Sequence, residues 1–226
     1  AAFGGRALLS NTTGSNNVAV GDSTLLANTT GSQNVAVGQG AMDGNTTADN
    51  NTAVGYQSLL ANTTGTNNVA VGANALDANT TANNNTAVGH DALTANTTGA
   101  NNVAVGNALG SNTTASNNTG VGFFALLTNT TGHSNTGVGA SALQGVSTSS
   151  HNTAVGKDAL KLTTTENNTA VGSGALDACT TGQWNTAVGY DCLTRSTTGE
   201  KNTGVGKAAL DQCTTGNNNT ALGREA

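Results

Sequence analysis

Apolar and polar positions along this chain recur with a long fixed period rather than with the period of a helix. A short block, Asn-[Thr/Val]-[Ala/Gly]-Val-Gly, returns again and again. Its glycine falls at Gly21, Gly38, Gly55, Gly72, Gly89, Gly106, Gly122, Gly139, Gly156, Gly172, Gly189, Gly206 and Gly223. The spacing is 17 residues, except for 16 between Gly106 and Gly122 and between Gly156 and Gly172. Gly4 stands in the same phase, so the consensus N-[TV]-[AG]-V-G-x-x-A-L-x-x-N-T-T-G-x-N spans residues 1–226 as a single repeat domain. The two shortened repeats lose a residue near Leu109 and near Glu166, which places loops there.

A unit of this size cannot bury a core alone, so neighbouring units must stack on one another. Helical repeats need more than about 30 residues for two helices and their turns. Glycine and paired threonines in every unit disfavour helix as well. The block N-T-A-V-G alternates as a strand does, with successive side chains on opposite faces. The fold expected is all-β: a parallel β-solenoid (β-roll or β-helix) of about 13 coils with a 17-residue repeat.

Stacking turns each repeat position into a row along the sheet. The valine before the glycine (Val20, Val37, Val54 and onward, with Phe3 and Leu222 at the ends) is expected to point inward. A second apolar row, from Leu8, Leu25, Met42, Leu59 and Leu76 through Leu210, would complete the core. Asparagine forms an unbroken row at Asn17, Asn34, Asn51, Asn68, Asn85, Asn102, Asn118, Asn135, Asn152, Asn168, Asn185, Asn202 and Asn219. Stacked amides can bond from rung to rung, as in cross-β ladders, so this row reads as structural. Between the apolar strand positions stands a small residue in every coil: Ala19, Ala36, Ala53, Ala70, Ala87, Ala104, Gly120, Gly137, Ala154, Ala170, Ala187, Gly204 and Ala221. With the valines inward this row faces out, as an intermolecular interface or against a tight turn of its own chain. Glycines such as Gly14, Gly31, Gly65 and Gly99 are expected to supply positive φ in the turn beside the Thr-Thr pair.

Composition narrows the function classes. Only 8% of residues are charged, 3% are aromatic, and proline is absent. A formal net charge of −5 and a pI near 4.8 argue against nucleic acid as the main partner. No apolar run of about 18 residues is present, so no membrane-inserting helix is expected. The glycines recur without opening helices, which excludes a phosphate-binding loop. His90, His133 and His151 stand at different repeat positions and are not expected to converge, and the aspartates are scattered over the turns. An enzyme is not expected, and neither is a metal or cofactor. Cys179 and Cys213 share a phase two coils apart, about 9–10 Å at their α-carbons and beyond disulfide reach. They read as buried free thiols, with an intermolecular disulfide as the alternative. Lysine and arginine are confined to Arg6 and to Lys157, Lys161, Arg195, Lys201, Lys207 and Arg224, giving the last third a mixed-charge surface.

The blocks N-T-A-V-G-Y-Q-S-L (Asn51 to Leu59) and N-T-A-V-G-H-D-A-L (Asn85 to Leu93) resemble two related groups. One is the head repeats of trimeric autotransporter adhesins, whose coils carry a similar small-residue strand. The other is phage tail-fibre repeats of the N-T-A-[VI]-G-x-x-A-L type. The adhesin coil is shorter and lacks the N-T-T segment. What the resemblance implies is an exported or virion-borne fibrous solenoid, extracellular or on a cell surface, acting in structure or attachment.

The first functional expectation is therefore a structural subunit or shaft segment of an extracellular filament or fibre. Its partner would be itself, as a homo-oligomer or a head-to-tail filament joined through solenoid ends and the small-residue face. Uncapped ends, with Ala1 entering in mid-strand and Ala226 leaving soon after a glycine, favour such joining. A second is an adhesin whose Tyr56, Phe123, Phe124, Trp184 and Tyr190 meet a host surface or glycan. The third, an ice-binding solenoid, would need a T-x-T array, whereas the repeated pair is T-T. Finally, each N-T-T (Asn11, Asn28, Asn45, Asn62, Asn79, Asn96, Asn112 and Asn129) is formally a glycosylation acceptor.

Overall fold

Each coil holds one short strand; apart from the two-residue Ala2–Phe3 and the terminal leucine of Thr220–Leu222, its outer residues are valine or threonine and its middle residue is alanine or glycine. β-Branched residues suit an extended backbone, and the glycine that follows ends the strand. In the computed structural model, which describes residues 1–226, the chain forms two compact units. The first, Ala1–Ser116, contains β1 (Ala2–Phe3), β2 (Val18–Val20), β3 (Val35–Val37), β4 (Thr52–Val54), β5 (Val69–Val71), β6 (Thr86–Val88) and β7 (Val103–Val105). The second, Asn117–Ala226, contains β8 (Thr119–Val121), β9 (Thr136–Val138), β10 (Thr153–Val155), β11 (Thr169–Val171), β12 (Thr186–Val188), β13 (Thr203–Val205) and β14 (Thr220–Leu222). In each unit every strand pairs in parallel with the next in chain order, Val35 with Thr52 and Thr136 with Thr153, for example. The fold is a parallel β-solenoid with a 17-residue coil, and no helix is long and apolar enough to cross a membrane. The shortened coil between Gly156 and Gly172 keeps strand register, Thr153 opposite Thr169, so its deletion is absorbed in the turn.

Coil-to-coil hydrogen bonding continues well beyond the strands. Leu25 N–H donates to Ala41 O, Ala27 N–H to Asp43 O, and Thr29 N–H to Thr46 O, at 3.1, 3.0 and 2.9 Å. Buried backbone groups must find partners, and here most find them one coil away. The leucine row is buried as expected: Leu25, Met42, Leu59, Leu76, Leu93 and Leu109 in the first unit, Leu126, Leu143, Leu160, Leu176 and Leu193 in the second. These side chains enter the core from a left-handed backbone, with φ of 51° at Leu25 and 53° at Leu59. For an L-residue that conformation costs about 1–2 kcal/mol. It is held by two bonds, one from the leucine N–H to the next coil and one from Asn28 N–H to Leu25 O at 3.2 Å.

The faces of the strand are the reverse of the expectation. Ala19, Ala36, Ala53, Ala70, Ala87 and Ala104 have no exposed surface, whereas Val20 is 39% and Val54 36% exposed. Gly120, Gly137, Ala154, Ala170, Ala187 and Gly204 are buried likewise in the second unit, and Ala221 in its last coil is half-buried. The small-residue row is thus core, not an intermolecular interface, and Val20, Val37 and Val54, with Phe3 and Leu222, point outward. The reason is lack of room. A Cβ placed on Gly137 would lie 3.4 Å from Leu126 Cγ, so a strand residue facing in can be little larger than alanine.

The glycines also divide differently. Gly14, Gly31, Gly65 and Gly99 are not in the positive-φ region. That conformation belongs to the glycine after the strand, φ 139° at Gly55, where a Cβ would sit 2.6 Å from the carbonyl carbon of Gly72. The residue before the asparagine row is left-handed too, φ 59° at Asn16 and 61° at Asn50, which explains the paired asparagines, since asparagine tolerates this region well.

Cys192 occupies a buried small-residue position in the turn, equivalent to Ala175 and Ala209, and Gly204 stands against it. A Cβ on Gly204 would come 2.6 Å from Cys192 Sγ.

Two predictions test this packing. Replacing Ala53 with leucine is expected to cost about 1–3 kcal/mol by overpacking, while Val54→Thr changes stability by no more than about 0.5 kcal/mol. Urea unfolding of both variants checks the order, and the inverse order would restore the valine-inward arrangement. Gly204→Ala is expected to destabilise the native chain but to be tolerated in a Cys192→Ala background. The double-mutant cycle gives a coupling of about 0.5–3 kcal/mol.

Candidate functional site

The interior holds two asparagine ladders rather than one. In the first, each backbone N–H bonds to the side-chain oxygen one coil earlier: Asn34 to Asn17 Oδ1 at 3.0 Å, Asn51 to Asn34 at 2.9 Å, Asn68 to Asn51 at 2.9 Å. The second unit repeats this, with Asn135 on Asn118 at 2.9 Å and Asn202 on Asn185 at 3.0 Å. Each Nδ2 then donates to a turn carbonyl of the following coil, Asn51 to Gly65 O at 2.8 Å and Asn185 to Gly199 O at 2.8 Å. One side-chain amide therefore holds both the turn and the strand entry of the following coil. Asn34 through Asn102 have no exposed surface.

The second ladder is the row read as glycosylation acceptors. In the first unit Asn28 Nδ2 donates to Asn11 Oδ1 at 2.7 Å, Asn45 to Asn28 at 2.8 Å, Asn62 to Asn45 at 3.1 Å, and Asn79, Asn96 and Asn112 continue the chain of bonds. The same nitrogen also donates to the carbonyl three residues on, Asn62 to Gly65 O at 2.9 Å. Asn28, Asn45, Asn62, Asn79, Asn96, Asn112 and Asn129 are fully buried, and Asn11 in the first coil is half-buried. A glycan on any buried amide would have to pass through the next coil, so these residues are structural rungs in the folded protein. The asparagine ladder was legible at one row only, because the N-T-T motif masks the other.

Past Asn129 this second row changes to Val146, Thr163, Cys179, Ser196 and Cys213. Cys179 Sγ lies 3.5 Å from Gly182 O, keeping a weak version of the same bond, while buried Ser196 Oγ has no hydrogen-bond partner. The three cysteines are free; burial pushes the Cys179 and Cys192 thiols up, which favours the protonated form.

The threonine pair splits between two roles. The first hydroxyl of each pair donates to the carbonyl one coil on, Thr29 to Thr46 O at 3.0 Å and Thr180 to Thr197 O at 3.1 Å. The second, such as Thr30 or Thr198, is exposed. A different threonine row lies on the outer face of the strands. In the second unit Thr119, Thr136, Thr153, Thr169, Thr186, Thr203 and Thr220 begin seven successive strands, with Val121, Val138, Val155, Val171, Val188, Val205 and Leu222 beside them. In the first unit valine replaces threonine in β2, β3, β5 and β7.

Other surface groups converge less. Contrary to expectation, His133 and His151 meet edge to face, with ring centroids 5.0 Å apart, while His90 Nδ1 lies 3.0 Å from Asp91. No group of three or more histidine, cysteine or acidic side chains is placed to share a metal. Phe123 and Phe124 stack, and Lys201 Nζ lies 5.4 Å over the exposed Trp184 ring. The Lys157 ammonium, with Lys161 at 3.2 Å, holds the Asp158 carboxyl below the usual carboxylate range.

Within the second ladder, Asn62→Ala is expected to cost about 2 kcal/mol or more, because it strands buried partners on both neighbouring coils. Ser196→Ala at the equivalent position is expected to be neutral or stabilising, since it removes an unpaired hydroxyl. Thermal and urea unfolding of the two variants, compared side by side, decides this.

Comparison with protein-family models, curated protein sequences and solved structures returned no match. The likeness to adhesin heads and tail fibres is thus one of repeat motif, on a chain whose solenoid fold is described above.

Proposed function

We propose that the chain is a structural shaft segment of an extracellular fibre or filament, on a cell surface or a virion, with further copies of itself as its partner. The observation that carries this reading is the sameness of the coils. Within each unit one strand register and the first asparagine ladder recur from strand to strand, and the amides of that ladder bond to neighbouring coils. Such a structure can be lengthened without a change of design. Assembly through the small-residue row is ruled out by its burial, so association proceeds by stacking of like coils. No catalytic chemistry, cofactor, nucleic acid or membrane insertion belongs to this reading. An attachment role is a second reading, favoured by the exposed Tyr56, Phe123, Trp184 and Tyr190.

Electron microscopy of the native material tests the proposal. Long unbranched fibres with a regular axial repeat are expected; discrete short particles would sink the shaft reading and favour attachment.

A further inference from the structure

The outer strand face of the second unit is an extended, uncharged surface whose hydroxyls the fold does not use. From β8 to β14 it presents a threonine and, two residues on, a valine or leucine in every coil. Neither acidic nor basic residues occur in these strands. The hydroxyls of Thr136, Thr153, Thr169, Thr186 and Thr203 make no hydrogen bond within the chain, unlike the first hydroxyl of each Thr-Thr pair, which bonds to the next coil. The neighbouring valines are more than a third exposed at Val155, Val171 and Val188.

From this geometry we infer that the T-x-V face of the second unit binds ice. Parallel strands set like side chains about 4.8 Å apart along the sheet and about 6.7 Å apart along the strand, within about ten per cent of oxygen repeats on the prism faces of hexagonal ice. Threonine and valine are stiff about χ1, so the array is ordered before any ligand arrives. Hydroxyls can join an ice lattice as donors and acceptors, while the methyl groups fill the spaces between its oxygens. Charged groups, which hold competing hydration shells, are absent from the array.

A second protein surface fits this face less well. Packing it dry would strand one hydroxyl per rung without a partner, a cost that a layer of ordered water does not incur. The T-T pair, whose first hydroxyl is bonded to the adjacent coil, is not part of the site. The first unit, where valine interrupts the threonine row, carries the array only in part.

The test is thermal hysteresis and ice-crystal shaping by the full chain at micromolar concentration. The unmodified protein is expected to shape ice and depress its growth temperature. Thr153→Tyr combined with Thr186→Tyr is expected to abolish both effects while circular dichroism stays unchanged. Thr198→Tyr, on the exposed Thr-Thr row, is expected to retain them. If the tyrosine variant does not fold, Thr153→Lys, whose stem reaches solvent, replaces it with the same expected loss. Absence of hysteresis in the unmodified chain, or its persistence in the face variants, would overturn the inference. So would a homo-oligomer that these same substitutions dissociate, since a second copy would then cover the face.

Discussion

A coil of seventeen residues encloses so little volume that hydrogen bonds between coils must carry much of what large side chains do in an ordinary core. Only the leucine row is bulky. The rest of the interior is mostly alanine, glycine and asparagine, with valine, threonine, serine and cysteine in some coils, and the asparagine amides are effective there because they hydrogen-bond to neighbouring coils. A buried amide without partners would cost several kcal/mol; one that bonds to two coils fixes their register. Register in turn aligns every other row, because a slip between coils would break both ladders at once.

The arrangement of the strands follows from the same lack of room. A leucine arriving from a left-handed turn lies against the inner face of the strand, and only a methyl group or a hydrogen fits opposite it. The β-branched residues are then left on the outer face. There they stiffen an extended backbone and cover one another along the sheet. The compensation between Cys192 and Gly204 shows how tight the limit is, since one added sulfur atom is met by the loss of one methyl position across the coil.

The two units differ in a way that bears on stability and on surface chemistry. In the first, the second asparagine ladder is continuous, while the outer strand row mixes valine with threonine. In the second, that ladder gives way to valine, threonine, cysteine and serine, while the outer threonine row is unbroken. Interior pairing is therefore richer in one unit and surface regularity in the other. Loss of amide rungs is partly offset by apolar burial at Val146 and by the weak Cys179 bond to Gly182.

Period and composition were enough to establish a parallel solenoid, its leucine row, its first asparagine ladder and the turn that absorbs the short coil after Gly156. These follow because stacking makes any periodic row into a line of neighbours, whatever the cross-section. Which way the strand faces could not be read from Val-Ala-Val. Alternation names two faces without saying which is inside, and the usual preference for burying the larger residue pointed the wrong way. That choice belongs to the tertiary structure, because it depends on how close the leucine turn comes to the strand. That facing turned an array of threonine and valine outward, while the stacking of coils buried the N-T-T asparagines against one another and set His133 against His151.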